Sequence, residues 1–535
     1  MASFREKDAD SKDAEIFDVV IVGGGLSGLA CADKLVEAGE GKLRVLVLEA
    51  KDRVGGRVRS VRDVAGFPAD LEFDLGAEFV HGDGTVLHKI AREEDWTLRQ
   101  IFIWAHGDGG PAEEEAPDGG AGYYYAGLDR KLMRFDALDP DFEHLSDVLD
   151  KLGEDGEAHA ADGGKSMSVS ERRTTLKEHL FSEGVSRRAI AMAEAGYANT
   201  LGASLEHLSL GLTRRIEHLW DNDGGDVDFR IVPSTRRLLE RLTRRLRAEE
   251  GVSIQLGSPV ARIGTTSASN DESHGDDDHL FVEYSMMESD DGTSKSEGEE
   301  KQTQTKNMRK KIVEARHVVV SVPVPILQNQ IEREGIIFAP ELPQEKRSAI
   351  NALCVRGAMK IVARFREKFW PDDMHGMVCS DCHVPELWVH GAGALVGPDG
   401  DARDNVAVQT AENEGCQVLI GFAMAGAAAN LACFQEAQVL EIFVRQLDEI
   451  FGQSCATQNF QNGFVLDWSK EAYIRGGYSF PSIHEEVDSR SLIARAEYGG
   501  RLHFAGEATD ASESYMTMHA AMRTGVRAAD EISGR

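Results

Sequence analysis

The sequence predicts an α/β protein of two interleaved domains, and three observations predict it. Residues 16–49 read as strand, glycine turn, helix and strand. Residues 502–532 repeat that opening as a short strand, a glycine turn and a helix. Between them, residues 84–229 show no repeating βαβ rhythm. At 535 residues the chain also exceeds the size at which a single core keeps growing.

Residues 17–22 form the first apolar strand run. Gly23-Gly24-Gly25-Leu26-Ser27-Gly28 follows at once and satisfies G-x-G-x-x-G. Gly23 allows the tight turn, Gly25 lets a pyrophosphate approach the backbone, and Gly28 lets the next helix lie close to the strand. That helix spans about residues 26–38, its N-terminus facing the phosphate charge, and Gly39 and Gly41 break it. Residues 43–48 are the second strand run. It closes at Glu49, 21 residues after Gly28, where a carboxylate accepts from both ribose hydroxyls. The unit specifies a dinucleotide with a free 2′-OH without deciding between NAD and FAD.

The middle of the chain is mixed. An alanine- and glycine-rich stretch at 109–126 precedes helix-like blocks at 140–153 and 169–195. In residues 234–250 arginines interleave with Leu238, Leu239, Leu242 and Leu246, an amphipathic helix whose basic side is expected to be a solvated face. Residues 252–263 read as strand, turn and strand. The acidic, serine-rich segment at about 265–311 reads as an exposed, disordered insertion, interrupted by the apolar patch at 279–287. Residues 312–322, 359–365 and 418–423 are further strand runs.

Acidic residues outnumber basic ones 91 to 59, a net charge of −32 with histidines neutral. That argues against nucleic acid as a partner, since phosphates need a basic face. It suits a cationic ligand, or simply an acidic surface. Seven cysteines at irregular spacing (Cys31, Cys354, Cys379, Cys382, Cys416, Cys433, Cys455) make no disulfide framework. Cys379 and Cys382 form a lone C-x-x-C that His383 does not complete, so no metal site is expected. The first residues are polar, no apolar run is long enough to span a membrane, and the Ser533-Gly534-Arg535 ending is not a peroxisomal SKL. Cytoplasmic residence is the expectation, with peroxisomal and nuclear residence left open.

Directly after the ribose carboxylate comes Arg53-Val54-Gly55-Gly56-Arg57. Asp74-Leu75-Gly76-Ala77-Glu78-Phe79-Val80-His81-Gly82 follows, then residues 318–323 and Gly357-Ala358-Met359-Lys360 with Phe369-Trp370. Trp468, Arg475-Gly476-Gly477-Tyr478-Ser479, residues 504–509 and Thr517-Met518-His519-Ala520-Ala521 complete the series. In this order the pieces resemble the flavin-dependent amine oxidase superfamily, which includes monoamine oxidases, polyamine and spermine oxidases and lysine-specific histone demethylases. The pattern is most similar to the polyamine and spermine oxidases.

The resemblance implies the amine oxidase fold, an FAD/NAD(P)-binding Rossmann-type domain interleaved with a mixed α+β substrate-binding domain. The first would comprise 15–90, 230–345 and 460–535, the second 91–229 and 346–459, after a flexible stretch at 1–14. It implies FAD, held without a covalent bond because Gly477 stands where monoamine oxidases carry the tethering cysteine. Gly23, Gly25, Leu26, Ser27, Gly28, Glu49 and Ala50 would bind its adenosine half, with Val260 at the adenine. Gly55, Gly56, Arg57, Gly506 and Glu507 would line the pyrophosphate and ribityl chain. Gly76, Ala77, Glu78 and Phe79 would border the flavin ring, with the Met518 N–H at O2, and Trp468 and Thr517 would also bind the cofactor.

For the reaction, the resemblance implies that Lys360 holds a water against flavin N5. Its apolar neighbours put it in a strand with one buried face, where a lysine needs a partner. Tyr478 would flank the substrate, and Thr517 replaces the second ring of the monoamine oxidase pair. His81 would bond a substrate amine or a water near the tunnel mouth, unless its bond is merely structural. The implied activity is oxidation of an amine, a polyamine by preference. Hydride passes from the α-carbon to flavin N5, the imine is hydrolysed, and O2 reoxidises the flavin with release of H2O2. An L-amino-acid oxidase, a histone-demethylase-like oxidase and an inactive FAD-binding interaction protein are the alternatives. The amino-acid oxidase needs an arginine for the carboxylate, and Arg364 and Arg366 suit a solvated edge equally well. The demethylase is disfavoured because no chromatin-binding domain precedes the flavin unit and no long paired helices interrupt the chain. No protein partner is assigned.

Overall fold

The structure, a computed structural model, describes residues 16–39, 42–69, 71–101, 120–137, 139–160, 167–222, 228–266, 279–287, 308–328, 334–400, 402–403, 417–512 and 514–534. The flexible stretch expected at 1–14, most of the insertion expected at 265–311, and Cys416 lie outside them.

The first sheet has eight strands and draws on every segment assigned to the nucleotide-binding domain. Its order is Val252–Gln255, Val45–Leu48, Ile16–Val22, Met308–Val320, Leu280–Met287, Val260–Thr265 and Ile337–Ala339, with Leu502–Phe504 beside the end of Met308–Val320. Val45–Leu48 is buried along its whole length, as parallel strands covered on both faces are. The helix Leu26–Gly39 lies against the helix Met518–Ser533, joining the two glycine-turn units.

One expectation is corrected here. The apolar patch at 279–287 is not part of an exposed insertion: Leu280–Met287 is a strand paired antiparallel with Met308–Val320. Leu280, Val282 and Tyr284 alternate into the core, a period of two that the flanking acidic sequence obscures.

The second sheet has seven strands, ordered Phe460–Asp467, Ala358–Phe365, Gln417–Met424, Glu386–Val389, Met374–Ser380, Ala121–Ala126 and Lys131–Arg134. Phe460–Asp467 was expected in the nucleotide-binding domain. It pairs with Ala358–Phe365 throughout, so the second sheet extends past residue 459. A third sheet of four strands (Ala394–Val396, Leu98–Ile101, Asp228–Ile231, Phe79–His81) joins segments from both expected domains.

Helices cover the second sheet from the 140–222 region, including Arg187–Ala193 and the π-helical turn Glu194–Ala198 that continues it. The amphipathic helix is Arg236–Arg247, with Leu238, Leu242 and Leu246 buried. Its arginines meet the protein's own acids: Arg241 pairs with Glu93 and Glu94, Arg236 with Glu72 and Glu240, and Arg245 with Asp33. No helix among the described residues is long and apolar enough to cross a membrane.

Candidate active site

The glycine turn is a cradle with closed and open positions. Gly23 has φ of +108°, which favours glycine, and a Cβ there would lie 2.8 Å from Ser321 Oγ. A Cβ on Gly28 would lie 2.1 Å from the Gly23 carbonyl oxygen, and one on Gly525 2.1 Å from that of Ser27. These glycines serve packing. Gly25 and Gly506 differ: nothing stands within 4 Å of either Cβ position, so each borders open space that a ligand backbone could occupy. Leu26 and Ser27, both buried, open the helix beside Gly25. Gly55 and Gly56, both at positive φ, wrap the same turn, and the Gly55 N–H donates to Gly24 O at 2.8 Å.

Glu49 Oε2 accepts from the Gly24 N–H at 2.7 Å and Oε1 from the Lys51 N–H at 2.8 Å. Each oxygen keeps a further lone pair for a hydroxyl. Burial pushes its carboxyl above the usual range against those two bonds. Ala50 continues the chain, and the Ser258 N–H donates to Glu49 O at 2.8 Å, which sets the strand beginning at Val260 beside it.

Arg57 and Glu507 tie the two ends of the chain together. Arg57 Nη1 donates to Glu507 Oε1 and to Gly477 O, both at 2.8 Å. Ser479 Oγ donates to Glu507 Oε2 at 2.6 Å. Burial works against the Glu507 carboxylate, but Arg57 and Arg490 outweigh it and hold the group below its ordinary range. Thr517 caps the last helix: its Oγ1 accepts from the Ala520 N–H at 3.2 Å and donates to Ser514 O at 2.7 Å. Its hydroxyl is thus committed to aiming the helix N-terminus that starts at Met518.

Lys360 sits in Ala358–Phe365 and is buried. Its Nζ donates to Asp74 O at 2.8 Å, to Gly76 O at 3.0 Å and to Glu78 Oε2 at 2.6 Å. Burial does demand a partner, and three protein oxygens supply it. Trp468 Nε1 donates to the intervening Leu75 carbonyl at 2.8 Å, so the Asp74–Gly76 carbonyls are all fixed by side chains from the second sheet and the turn that directly follows it. Glu78 also meets Arg230 at 2.9 Å. Desolvation opposes its charge, but Arg230 and Lys360 outweigh that and hold it below the ordinary range. Ala77 completes this edge between them, and Phe79 stacks edge-on against Trp388 at 5.4 Å.

Over residues 26–533 the chain matches the family described as flavin containing amine oxidoreductase. It belongs to that family. Among the proteins it resembles, the lysine-specific histone demethylase 1B of Mus musculus is 27% identical over 96% of this chain and 52% of its own length. Polyamine oxidase 4 of Oryza sativa subsp. japonica is 24% identical over 97% of this chain and 88% of its own. The chain spans about half the length of the mouse and human demethylases it matches (52% and 54%). Among solved structures, cyclohexylamine oxidase from Brevibacterium oxydans superimposes with a TM-score of 0.68, 19% identity, and 97% and 99% coverage. A putrescine oxidase bound to putrescine gives the same four values. These likenesses show the shared fold. The flavin of the family's name fits the residues present: open space at Gly25 and Gly506, a buried carboxylate at Glu49, and a helix N-terminus at Met518.

The remaining site residues of this amine oxidoreductase are placed as follows. Tyr478 donates its hydroxyl to Thr200 O at 2.5 Å, and burial raises the pKa of its phenol. His81 Nδ1 lies 2.7 Å from Asp228 Oδ1 at a half-exposed position. Desolvation disfavours its charged form, but Asp228 outweighs this and the pKa rises. Arg364 donates to Gly66 O at 2.6 Å and Arg366 is exposed, so neither faces Tyr478. Two groups escape sequence reasoning. His519, at the start of the last helix, is buried, and burial with His81 and Arg523 pulls its pKa down to about 3. Glu386 is a buried carboxylate that no motif marks.

Proposed function

We propose that the protein is an FAD-dependent amine oxidase that acts on a polyamine and uses O2 as its electron acceptor, with the FAD held non-covalently. The observation that carries this reading is the anchoring of Lys360 on the carbonyls of Asp74 and Gly76. It presses the aromatic face of the second sheet against the edge of the nucleotide cradle. Bound FAD would supply the redox chemistry, taking two electrons and a hydrogen from the carbon beside the amine nitrogen and returning them, with one further proton, to O2 as H2O2. The protein's own residues prepare the substrate. Phe79, Trp388, Phe422 and Tyr478 wall the face with rings, and an apolar wall favours the neutral amine, the form that can be oxidised. Lys360 and Trp468 fix the position of the 74–76 backbone. Thr517 aims a helix N-terminus at the cradle, where it would stabilise negative charge. Arg57 and Glu507 close the seam between segments from the chain's two ends. Arg230, the arginine nearest Lys360's partner, is engaged by Glu78 and leaves no free clamp for a substrate carboxylate.

A second reading, a methylated lysine side chain as the amine, is favoured by the identity to the histone demethylases. Anaerobic flavin absorbance decides, titrated with spermine, spermidine, N-acetylated polyamines, benzylamine, L-amino acids and a methyl-lysine peptide. Bleaching by polyamines with peroxide on admitting air is the expected outcome. Bleaching by the peptide alone or by amino acids alone transfers the assignment, and a flavin that no amine reduces overturns it. Acid precipitation should release the flavin into the supernatant.

A further inference from the structure

Arg490, in the short helix Ser489–Ala494, is a buried cation that none of the sequence motifs covers. Its Nε donates to Glu485 Oε1 at 2.7 Å and its Nη2 to Glu485 Oε2 at 3.1 Å, a two-point pair with a carboxylate that is buried as well. The guanidinium carbon lies 3.3 Å from the ring centre of buried Tyr515. The remaining nitrogen, Nη1, donates to Ser479 Oγ at 2.8 Å and to Ala508 O at 3.4 Å. Burying such an ion pair carries a desolvation cost that apolar packing would avoid. What the pair supplies here is direction.

A guanidinium only donates, so Ser479 Oγ must accept from Arg490 and has a single proton left to give. That proton goes to Glu507 Oε2 at 2.6 Å. The Ser479 N–H reaches Glu507 Oε1 at 3.3 Å, and the Met516 N–H reaches Oε2 at 3.4 Å. Arg57 Nη1 completes Oε1, so each Glu507 oxygen accepts from both of its sides. The relay therefore runs from Glu485 through Arg490, Ser479 and Glu507 to Arg57. It clamps the backbone on either side of Tyr478, because Arg57 also holds Gly477 O. It ties the same loop to Met516, just ahead of the helix N-terminus at Met518.

We propose that Arg490 is a positioning residue for the cofactor: it commits the Ser479 hydroxyl to Glu507, and so holds the Glu507–Arg57 pair and the Tyr478 loop in the arrangement that receives FAD. This rests on the amine oxidase reading above, which puts FAD beside Arg57 and Glu507. Arg490 itself acts only through Ser479. A free serine hydroxyl would rotate, and the carboxylate and loop would have to be ordered when the cofactor binds, at a cost in affinity.

The test follows FAD release from the loaded full-length protein on dilution, beside the urea midpoint of the same chain before flavin is added. Arg490→Met is made together with Glu485→Gln, so that neither charge is left buried alone. The combination should release FAD about 30-fold faster, as loss of a preorganised charge-assisted contact does, with the flavin-free midpoint unchanged. Ser479→Ala should do the same, and adding it to the Met and Gln replacements should bring no more than about a further twofold. Arg490→Lys keeps a donor for Ser479 and should stay within about fivefold of the wild type. A merely structural role gives the reverse, a lower midpoint with unchanged release, and overturns the proposal. Effects of Ser479→Ala and the combination that multiply also overturn it, because the two would then act apart. Should the combination fail to fold, Arg490→Lys and Ser479→Ala complete the cycle: together they should release FAD no faster than Ser479→Ala alone, and unchanged release in Ser479→Ala overturns the proposal. A wild type that holds FAD as loosely as these variants removes this inference alone. A wild type that binds no FAD removes the amine oxidase reading with it.

Discussion

The turn at residues 23–28 and the face around Lys360 are both held in place by fixed partners, but they are made of different material. The turn is backbone: its geometry follows from where a Cβ cannot fit, at Gly23 and Gly28, and where one would intrude on open space, at Gly25. The face is side chains brought together by sheet register and by bonds between distant segments, such as Lys360 to Asp74, Gly76 and Glu78. Backbone sites are local and tolerate little change in shape. Side-chain sites are distributed, and their weak point is charge.

Removing charge from the face should have the largest effect. Lys360→Met leaves the Asp74 and Gly76 carbonyls without their donor and Glu78 with only Arg230. Breaking such a buried pair should lower stability by about 3–5 kcal/mol in denaturant unfolding. It should also slow amine-dependent bleaching severely, because the 74–76 edge is no longer pinned. Unchanged stability would show that the three bonds do not fasten the second sheet to the 74–78 segment.

Adding shape to the turn is next. Gly25→Val projects into open space and should leave the fold intact while weakening FAD retention about 100-fold, read as flavin per protein after gel filtration. Gly28→Val, aimed at the Gly23 carbonyl, should instead lower the unfolding midpoint before any flavin is added. If both variants behave alike, the division of the turn into packing and ligand-facing glycines is wrong.

The smallest effect is expected at the half-exposed pair His81–Asp228. Its folded pKa is raised, so the stability it contributes is complete below the unfolded histidine value of about 6.5 and is lost as pH rises through the folded value. Screening by solvent limits this to less than about 1 kcal/mol. In His81→Gln, the fall in stability on the alkaline side of that value should flatten, measured by urea midpoints across pH 6 to pH 8.

The same contrast of material explains what was legible in the sequence. Gly23, Gly25, Gly28 and Glu49 lie within one βαβ unit, so spacing alone indicates their partners. The strand around Lys360 is visible as an apolar run, yet its bonds to residues 74–78 are a product of tertiary closure, which no local pattern indicates. Glu386 could not be found. Its place beside Phe422 and Lys360 comes from pairing across two strands, and nothing within ten residues of it marks that register. Leu280–Met287 was hidden differently: its period of two is short and sits amid acidic sequence that dominates any window. The Phe460–Asp467 strand was assigned to the wrong domain because sequence order, unlike pairing, gives no sign of which sheet a strand joins.

The contact between helices Leu26–Gly39 and Met518–Ser533, closest where Gly525 meets Ser27, has a consequence for how the chain is made. A ribosome adding ~5–20 residues per second needs roughly 25–100 s to travel from the first helix to the last. Throughout that interval the apolar side of Leu26–Gly39 waits for its partner, and Val318–Val320 waits for Leu502–Phe504. The second sheet, drawn mainly from the interior of the chain, can close earlier. Biosynthesis therefore completes the nucleotide site last, and flavin can lock the molecule only after translation has reached the final helix.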